Sequence, residues 1–458
     1  MAQLQDSPND LDQAVPALPT FGQAAWLWLK IGCLSFGGPA GQIAMLHHEV
    51  VDQRHWISNR RFLHALNFCS LLPGPEAQQL ATYLGWLMHG AKGGVVAGGL
   101  FIIPGAIVMM VLSAIYAIYG AVPLISAVFF GLKCAVLVMV VEALLRVGKR
   151  ALKGANAYLL AGLAFLSLFV FGLPFPFVVF MAGCWGLVAP YAFKAASHGQ
   201  AGNDEEALLD RLMRRNPDHA SHLARSAYRA GLVALALWAA PLIVLLPQDG
   251  VFADISWFFS KMAVVTFGGA YAVLAYVAQE AVNLYHWLSP SEMLAGLGLA
   301  ETTPGPLILV LQFVGFLAGF RAETIFHGLW GGVLGALLTL WVTFTPCFAF
   351  VFLGAPMIEK AQNNPRLTGA LAAITCAVVG VIANLALWFG LRVLFGEMAL
   401  WQWGVVSFEW PVLASINPPA LLIAVLAALS LFGLKLGIVR TLALSSIAGL
   451  MLHLAAAL

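Results

Sequence analysis

Long runs of apolar residues, separated by short polar or glycine- and proline-rich stretches, fill most of this 458-residue chain. A helix needs about 17–25 predominantly apolar residues to cross a bilayer. The runs therefore predict an all-α polytopic membrane protein with about 13 transmembrane segments. These segments lie near 21–45, 62–88, 93–119, 121–145, 158–173, 175–193, 230–246, 255–277, 293–320, 325–352, 367–393, 416–434 and 441–458. The two shortest, 158–173 and 175–193, could instead pair as re-entrant hairpins.

Composition supports the membrane class. Hydrophobic residues make up 61% of the chain and charged residues 10%, whereas soluble domains carry about 25% charged residues. The lipid bilayer is therefore an expected partner. The net charge of +2 implies no attraction to nucleic acid. The six cysteines are scattered, without a metal-binding spacing, so we expect buried thiols, no cofactor and no metal.

The pattern between residues 30 and 75 occurs a second time, 231 residues later and without a gap. Of the 46 aligned positions 15 are identical, and the shared residues are mostly glycine, proline, lysine, glutamate, histidine and tryptophan. Unrelated apolar segments share leucine, alanine and valine instead. The repeat therefore predicts a duplicated domain. The repeated residues are Lys30 and Lys261, Phe36-Gly37-Gly38 and Phe267-Gly268-Gly269, Glu49 and Glu280, His55-Trp56 and His286-Trp287, and Pro73-Gly74-Pro75 and Pro304-Gly305-Pro306.

The repeat and the polar stretches divide the chain into five parts. They are a polar tail (1–20), a first repeat (21–195), a charged cytoplasmic linker (196–229), an extra span (230–250) and a second repeat (251–458). Because the copies begin at the first and the eighth predicted span, they cross the membrane in opposite senses. Inverted-topology repeats with broken helices are the architecture of many secondary transporters.

The basic residues indicate the orientation. Loops after even-numbered spans hold 15 of the 23 Lys and Arg residues, and basic loops are cytoplasmic. The N-terminus is therefore predicted inside and the C-terminus outside. The exception is the loop with Arg54, Arg60 and Arg61, which faces out by this count. Either the count is wrong at this loop or the loop folds back into the protein, and we expect the second.

Each copy has two helix-breaking elements inside apolar segments. Glycine permits a tight backbone, and proline removes an N–H and forbids the preceding helical turn. Freed backbone groups at membrane depth must line a cavity or be covered by protein. The four breaks predict half-helices that meet at the membrane centre and present N-termini to an anion. Ordinary packing kinks are the alternative interpretation.

Charged and amide side chains near the breaks are candidate ligands. Lys30 and Lys261 would together neutralise a dianion, although both side chains could instead snorkel to the interface. Gln78 and Gln79 follow the first Pro-Gly-Pro element and could hydrogen-bond an oxyanion. The predicted substrate site comprises Lys30, Phe36, Gly37, Gly38, Pro73, Gly74, Pro75, Gln78, Gln79, Lys261, Phe267, Gly268, Gly269, Pro304, Gly305 and Pro306.

A repeated carboxylate and histidine suggest proton transfer or gating. Glu49 and Glu280 each precede a histidine, His55 or His286, by six residues. Such a pair in one membrane-edge loop could relay protons. The alternative is an interfacial belt in which the neighbouring tryptophans lie among the headgroups, with the polar side chains solvated beside them.

Enzymatic signatures are weak. His47 and Asp52 form an H-x4-D pattern seen in acyltransferases, but the pattern is short and absent from the second copy. The chain has no P-loop, so it lacks the means to drive transport with ATP by itself. We expect no enzyme and no catalytic residue, with a membrane-embedded acyltransferase kept as an alternative.

The Phe-Gly-Gly and Pro-Gly-Pro elements in both halves resemble the pattern of the chromate ion transporter family, in its long, two-domain form. The resemblance covers nearly the whole chain outside the tail and the linker. It implies efflux of chromate, a tetrahedral dianion similar to sulfate, and hence chromate resistance. One departure is Ala270-Tyr271, which replaces the Pro39-Ala40 of the first copy.

We therefore expect a secondary active transporter in the plasma (inner) membrane, with a homodimer as a further expectation. The membrane potential or a proton gradient would drive export, since moving a charge through 100 mV is worth about 2.3 kcal/mol. A carrier of sulfate or another oxyanion is the alternative within transport.

Overall fold

A computed structural model describes residues 18–36, 38–193, 207–209, 211, 219–267, 270–355, 365–403 and 406–457. Within these ranges the chain forms sixteen α-helices and one antiparallel pair of strands. The helices are α1 (Phe21–Leu34), α2 (Gly38–His47), α3 (Asn59–Cys69), α4 (Glu76–Tyr119), α5 (Pro123–Ala151), α6 (Ala155–Phe169), α7 (Phe175–Val188), α8 (His219–Leu245), α9 (Val251–Val265), α10 (Ala270–Gln279), α11 (Pro290–Thr302), α12 (Val310–Phe320), α13 (Gly328–Gly354), α14 (Pro365–Leu394), α15 (Pro418–Ala428) and α16 (Ile438–Ala457). The strands are β1 (Met398–Trp403) and β2 (Val406–Pro411).

The predicted class of all-α polytopic membrane protein is confirmed. Six helices in the described residues are long and apolar enough to cross a bilayer, namely α4, α5, α8, α13, α14 and α16. The other helices are shorter. Several predicted spans consist of two half-length helices that fold back on each other.

Helices α1 and α2 form the first of these hairpins. Lys30 Nζ lies 2.8 Å from Glu49 Oε1, although 19 residues of continuous helix would separate their backbones by about 28 Å. The chain must therefore reverse at the Phe-Gly-Gly element between them. A short π-helical segment, His48–Gln53, extends α2 back to the face from which α1 started.

A second hairpin joins α3 to the first part of α4. The rings of Phe68 and Tyr83 lie 5.4 Å apart on either side of the Pro-Gly-Pro element. Helix α4 then turns sharply at His89 and Gly90, where the helical geometry is interrupted and Gly90 has a φ of 66°. His89 Nε2 lies 2.8 Å from the Pro19 carbonyl oxygen. Residue 89 therefore returns to the starting face of α1, called the N-terminal face below.

The second half repeats these hairpins. Phe258 of α9 packs against Tyr276 of α10, with ring centroids 5.8 Å apart. Arg321, which follows α12, donates to the Trp287 carbonyl oxygen at 2.8 Å, just before α11 begins. Helices α11 and α12 therefore start and end at one face.

Helix α8 places the two halves in opposite orientations. Leu223 near its start packs against Gly90 at the N-terminal face. Its 27 residues cross to Leu245, and α9 begins at Val251 on the opposite face. The first half therefore enters the membrane from the N-terminal face and the second half from the other. The opposite orientation of the two repeats follows from helix α8, which passes through the membrane once between them, rather than from a count of seven spans.

The hairpins also relocate the exceptional basic loop. Because α2 returns beside α1, the segment with Arg54, Arg60 and Arg61 lies at the N-terminal face. Lys92 follows the turn at the same face, and α5 ends with Lys149 and Arg150. The described chain therefore favours the alternative that the span count was wrong at this loop, and the basic residues named here lie on one side.

Close helix packing depends on glycine. Gly131 of α5 lies against the Ser445 carbonyl of α16, and Gly449 lies against Ala127 and Gly131. A side chain at residue 131 would overlap the backbone of the neighbouring helix. Small residues allow such close approach in membranes, where packing rather than the hydrophobic effect drives helix association.

We expect Gly131→Ala to lower the free energy of unfolding by about 1–3 kcal/mol, because the new methyl group must displace helix α16. Gly162→Ala is the matched control, since no atom of the described residues lies within 4 Å of its added methyl group and alanine favours helix by up to about 1 kcal/mol. The measurement is thermal unfolding in detergent. Equal melting temperatures for the two variants would contradict the packing.

Candidate functional site

The four broken segments meet through two backbone hydrogen bonds. The N–H of Gly74 donates to the Thr266 carbonyl oxygen at 2.9 Å, and the N–H of Gly305 donates to the Ser35 carbonyl oxygen at 2.9 Å. Residues 35 and 266, like residues 74 and 305, are 231 positions apart. Each half therefore donates one backbone hydrogen bond to the equivalent carbonyl of the other half. We use the term crossing for the place where these four segments meet, which comprises residues 35–36, 73–75, 266–267 and 304–306.

Local sequence explains why the chain breaks at these points. Gly74 and Gly305 have φ values of 127° and 90°, which residues with a side chain rarely adopt. The flanking prolines prevent continuous helix. Before the other breaks, the Ser35 hydroxyl donates to the Ile31 carbonyl at 2.6 Å and Thr266 makes the equivalent bond to Met262. The backbone carbonyls of Ser35 and Thr266 then face the other half.

Each half also supplies a long helix that covers the Pro-Gly-Pro element of the other. Gly105 of α4 packs directly on the Pro304 carbonyl, and Cys347 of α13 lies beside Gly74. Both positions follow a proline inside their helix, Pro104 and Pro346. The two halves are therefore interlocked and cannot separate without breaking the crossing.

Four glutamines lie buried around the crossing. Gln42 of α2 donates to the Gly305 carbonyl at 2.5 Å, and Gln79 donates to the Pro73 carbonyl at 2.7 Å. Gln312 donates to Ala106 of α4 at 2.9 Å. The side-chain oxygens of Gln78, Gln79 and Gln312 have no hydrogen-bond partner among the described residues. A buried acceptor without a partner costs about 1–3 kcal/mol, so these oxygens favour water or a donor-bearing solute at the crossing.

Gln42 is a residue that sequence reasoning missed. It is 1% exposed and links α2 of the first half to the second Pro-Gly-Pro element. The available signal was a lone amide in an apolar run. The equivalent position in the second half is Val273, so comparison of the two copies hid it.

The structure places the two repeated lysines beside partners outside the crossing. Lys30 pairs with Glu49, which also pairs with Arg54, and it lies one turn from Trp26, which is 70% exposed. Lys261 lies over the ring of Trp257 at 5.5 Å. Burial opposes ionisation of Glu49, but the two cations outweigh it and hold its pKa below the usual value. Direct contact of either lysine with a substrate stays a prediction.

The repeated histidines shape equivalent turns. His55 and His286 both have left-handed backbones, with φ values of 50° and 51°. The next residues, Trp56 and Trp287, each donate to a carbonyl six residues earlier at 2.9 Å. Glu280 lies in a π-helical segment that mirrors that of Glu49. A relay or gating role for these residues stays a prediction.

The two halves differ in exposure at the crossing. Phe36 is exposed and Pro73 and Pro75 are partly accessible, whereas Pro304, Gly305 and Pro306 are buried. The predicted site residues Gly37, Gly268 and Gly269 lie outside the described residues. The two Pro-Gly-Pro elements lie against the segments that follow α1 and α9 through the bonds described above, and a substrate-binding role for these residues stays a prediction.

The acyltransferase pattern forms a contact but leaves no free imidazole nitrogen. His47 Nδ1 lies 3.3 Å from Asp52 and Nε2 lies 2.9 Å from the Asn59 side-chain oxygen. A general base needs one nitrogen available to its substrate. Within the described ranges, no group of three His, Cys, Asp or Glu side chains is placed to hold a metal ion.

Inverted repeats whose broken helices meet at the centre define a class of membrane transporter. A family model described as chromate transporter matches residues 22–187 and 253–450. The chain belongs to the chromate transporter family.

Relatives agree with this assignment. The chain is 34% identical over 378 residues to a chromate transport protein of Pseudomonas aeruginosa, covering 81% of each chain. It is 24% identical to a probable chromate transport protein of Synechococcus elongatus, over 92% of this chain and 98% of the relative. An uncharacterized transporter of Methanocaldococcus jannaschii is also 24% identical, over 81% and 85%. No solved structure matches.

We expect Gln42→Leu to destabilise the fold by about 1–3 kcal/mol, since it leaves the Gly305 carbonyl buried without its side-chain donor. Gln53→Leu is the control, because Gln53 is exposed in the π-helical segment of the same hairpin. Thermal unfolding in detergent measures both. A smaller loss for Gln42→Leu than for Gln53→Leu would show that this bond does not secure the crossing.

Proposed function

We propose that this protein exports chromate from the cytoplasm and thereby confers chromate resistance. The single observation that carries the proposal is the reciprocal bonding of Gly74 to Thr266 and of Gly305 to Ser35. It brings four half-helix ends together in a chain of the chromate transporter family. The relatives named chromate transport proteins support the substrate.

The crossing suits an oxyanion. Helices α2, α4 and α10 and the 3-10 turn before α12 all begin at it, and the first N–H groups of a helix lack partners within the helix. Each helix start contributes about half a positive charge. Such partial charges near the crossing would compensate part of a dianion's lost hydration. Lys30 and Lys261 would add full charge on the outer side of the hairpins.

The distribution of basic residues supports the direction. Arg54, Lys92, Lys149 and Arg150 lie at the N-terminal face, which the positive-inside rule places in the cytoplasm of a plasma (inner) membrane protein. The partly accessible first half would admit the anion from that side. Export of a dianion from a negative-inside cell gains about 2.3 kcal/mol per charge for each 100 mV. The membrane potential, with or without a proton gradient, would therefore drive efflux.

The decisive test is uptake into inside-out vesicles made from cells with and without this protein. We expect uptake of labelled chromate that depends on the protein and grows with an inside-positive potential, because such vesicles accumulate what cells export. Competition by sulfate measures selectivity between the two dianions. Protein-dependent sulfate uptake without chromate uptake would replace chromate by sulfate as the substrate, and uptake of neither would refute the proposal.

We expect Gly105→Ala to reduce chromate flux at least about tenfold, since the added methyl group overlaps the Pro304 carbonyl and overpacking costs about 1–3 kcal/mol. Gly99→Ala is the matched control in the same helix, because its added methyl group has no neighbour within 4 Å in the described part of the chain. Flux is measured at equal membrane abundance. Wild-type flux in Gly105→Ala would show that transport does not depend on the crossing's geometry.

A further inference from the structure

A carboxyl group lies buried beside the crossing with one neutral partner. Glu301, in the last turn of α11, is 4% exposed, and Tyr271, in the first turn of α10, is 9% exposed. The Tyr271 hydroxyl donates to Glu301 Oε1 at 2.5 Å. The end of a helix carries partial negative charge, which disfavours a second negative charge there. Burial disfavours it further.

The charged groups around Glu301 do not fully compensate the negative charge of its ionised form. Arg146 and Glu142 of α5 interact electrostatically with Glu301, and Arg146 also with Tyr271. Arg146 forms its ion pair with Glu142, one turn away in the same helix. Tyr271, Arg146 and Glu142 are the titratable groups that act on Glu301 in the described part of the chain. The carboxyls of Glu142 and Glu301 therefore share the single guanidinium of Arg146. Its one positive charge compensates one carboxylate, so the other is uncompensated unless it holds a proton.

The pair belongs to the second half alone. The equivalent positions in the first half are Ser70 and Ala40. Tyr271 follows the Phe-Gly-Gly break, and Glu301 precedes Pro304 by three residues. Their hydrogen bond therefore joins the two breaks of one half, which together hold Ser35 and Gly74 of the other half.

We propose that the Glu301 carboxyl, held by Tyr271, is the proton-binding site that couples chromate export to the proton gradient. The proposal rests on the proposed function and names the group that carries the exchanged ion. A proton from water adds to one carboxylate oxygen and later returns to water at the other face. No covalent bond to the substrate forms.

The geometry connects the proton to the crossing. The Tyr271 hydroxyl donates to Glu301 Oε1 and so holds the carboxyl between the two breaks of the second half. Ionised Glu301 is drawn toward Arg146, because an unpaired buried charge is costly and a cation is within electrostatic range. Residues 301–305 form one short segment, so this movement strains the bond between Gly305 and Ser35. Loss of the proton would therefore open the crossing for exchange.

The test uses purified protein in liposomes with potassium and valinomycin, which hold the membrane potential at zero. With one proton exchanged per chromate, each pH unit across the membrane should change the chromate accumulation ratio about tenfold. We expect wild-type protein to show this response. Glu301→Gln, a permanent mimic of the neutral acid, should lose the response while chromate counterflow without a gradient persists.

Two further variants separate coupling from structure. Glu292→Gln lies in the same helix, but its carboxylate pairs with Arg321 near the opposite face, so it should respond to pH like the wild type. Tyr271→Phe keeps the carboxyl and loses its donor. It should therefore retain coupling while the pH of half-maximal response moves.

The outcomes are distinguishable. Wild-type counterflow without a response to the pH gradient would overturn the coupling site and leave the proposed function standing. A full response in Glu301→Gln would do the same, as would loss of all counterflow in that variant when it remains monodisperse. Absence of chromate counterflow in the wild type would refute the proposed function, and the coupling site with it.

Discussion

Two backbone hydrogen bonds, each from a glycine of one half to a carbonyl of the other, hold the centre of this protein. Broken helices expose N–H and C=O groups at membrane depth, where water does not satisfy them. The bonds from Gly74 to Thr266 and from Gly305 to Ser35 satisfy part of that demand reciprocally. The hairpins, the covering helices α4 and α13, and the exposed first half all follow from placing four breaks at one point.

The same constraint explains the difference between the halves. A duplicated chain could place identical groups on both sides of the crossing. In the alignment of the two copies, however, Gln42 corresponds to Val273. Tyr271 and Glu301 correspond to Ala40 and Ser70. The backbone exchange is symmetric, while the side chains around it are not. The coupling proposed for Glu301 rests on this asymmetry, because the equivalent positions of the first half carry neither the carboxyl nor the tyrosine.

Much of the fold could be predicted from the sequence. Apolar run length identified an all-α membrane protein, and the spacing of glycine, proline and tryptophan identified a duplication with four breaks. The helical hairpins could not be predicted, because run length does not reveal a reversal inside a run. His89 and Gly90 turn the chain within one continuous apolar and glycine-rich stretch. The glycine there resembles those that pack helices together.

The sequence by itself determined the class of the protein, the two copies and the positions of the breaks, since hydrophobic length and proline chemistry act locally. Only the tertiary structure decided which groups meet. It placed Lys30 with Glu49 across a hairpin, brought Gln42 to the second Pro-Gly-Pro element and set Tyr271 against Glu301. The physical reason is that ion pairs and buried hydrogen bonds depend on where the chain reverses, and the reversals at the four breaks are stabilised by backbone hydrogen bonds between the two halves.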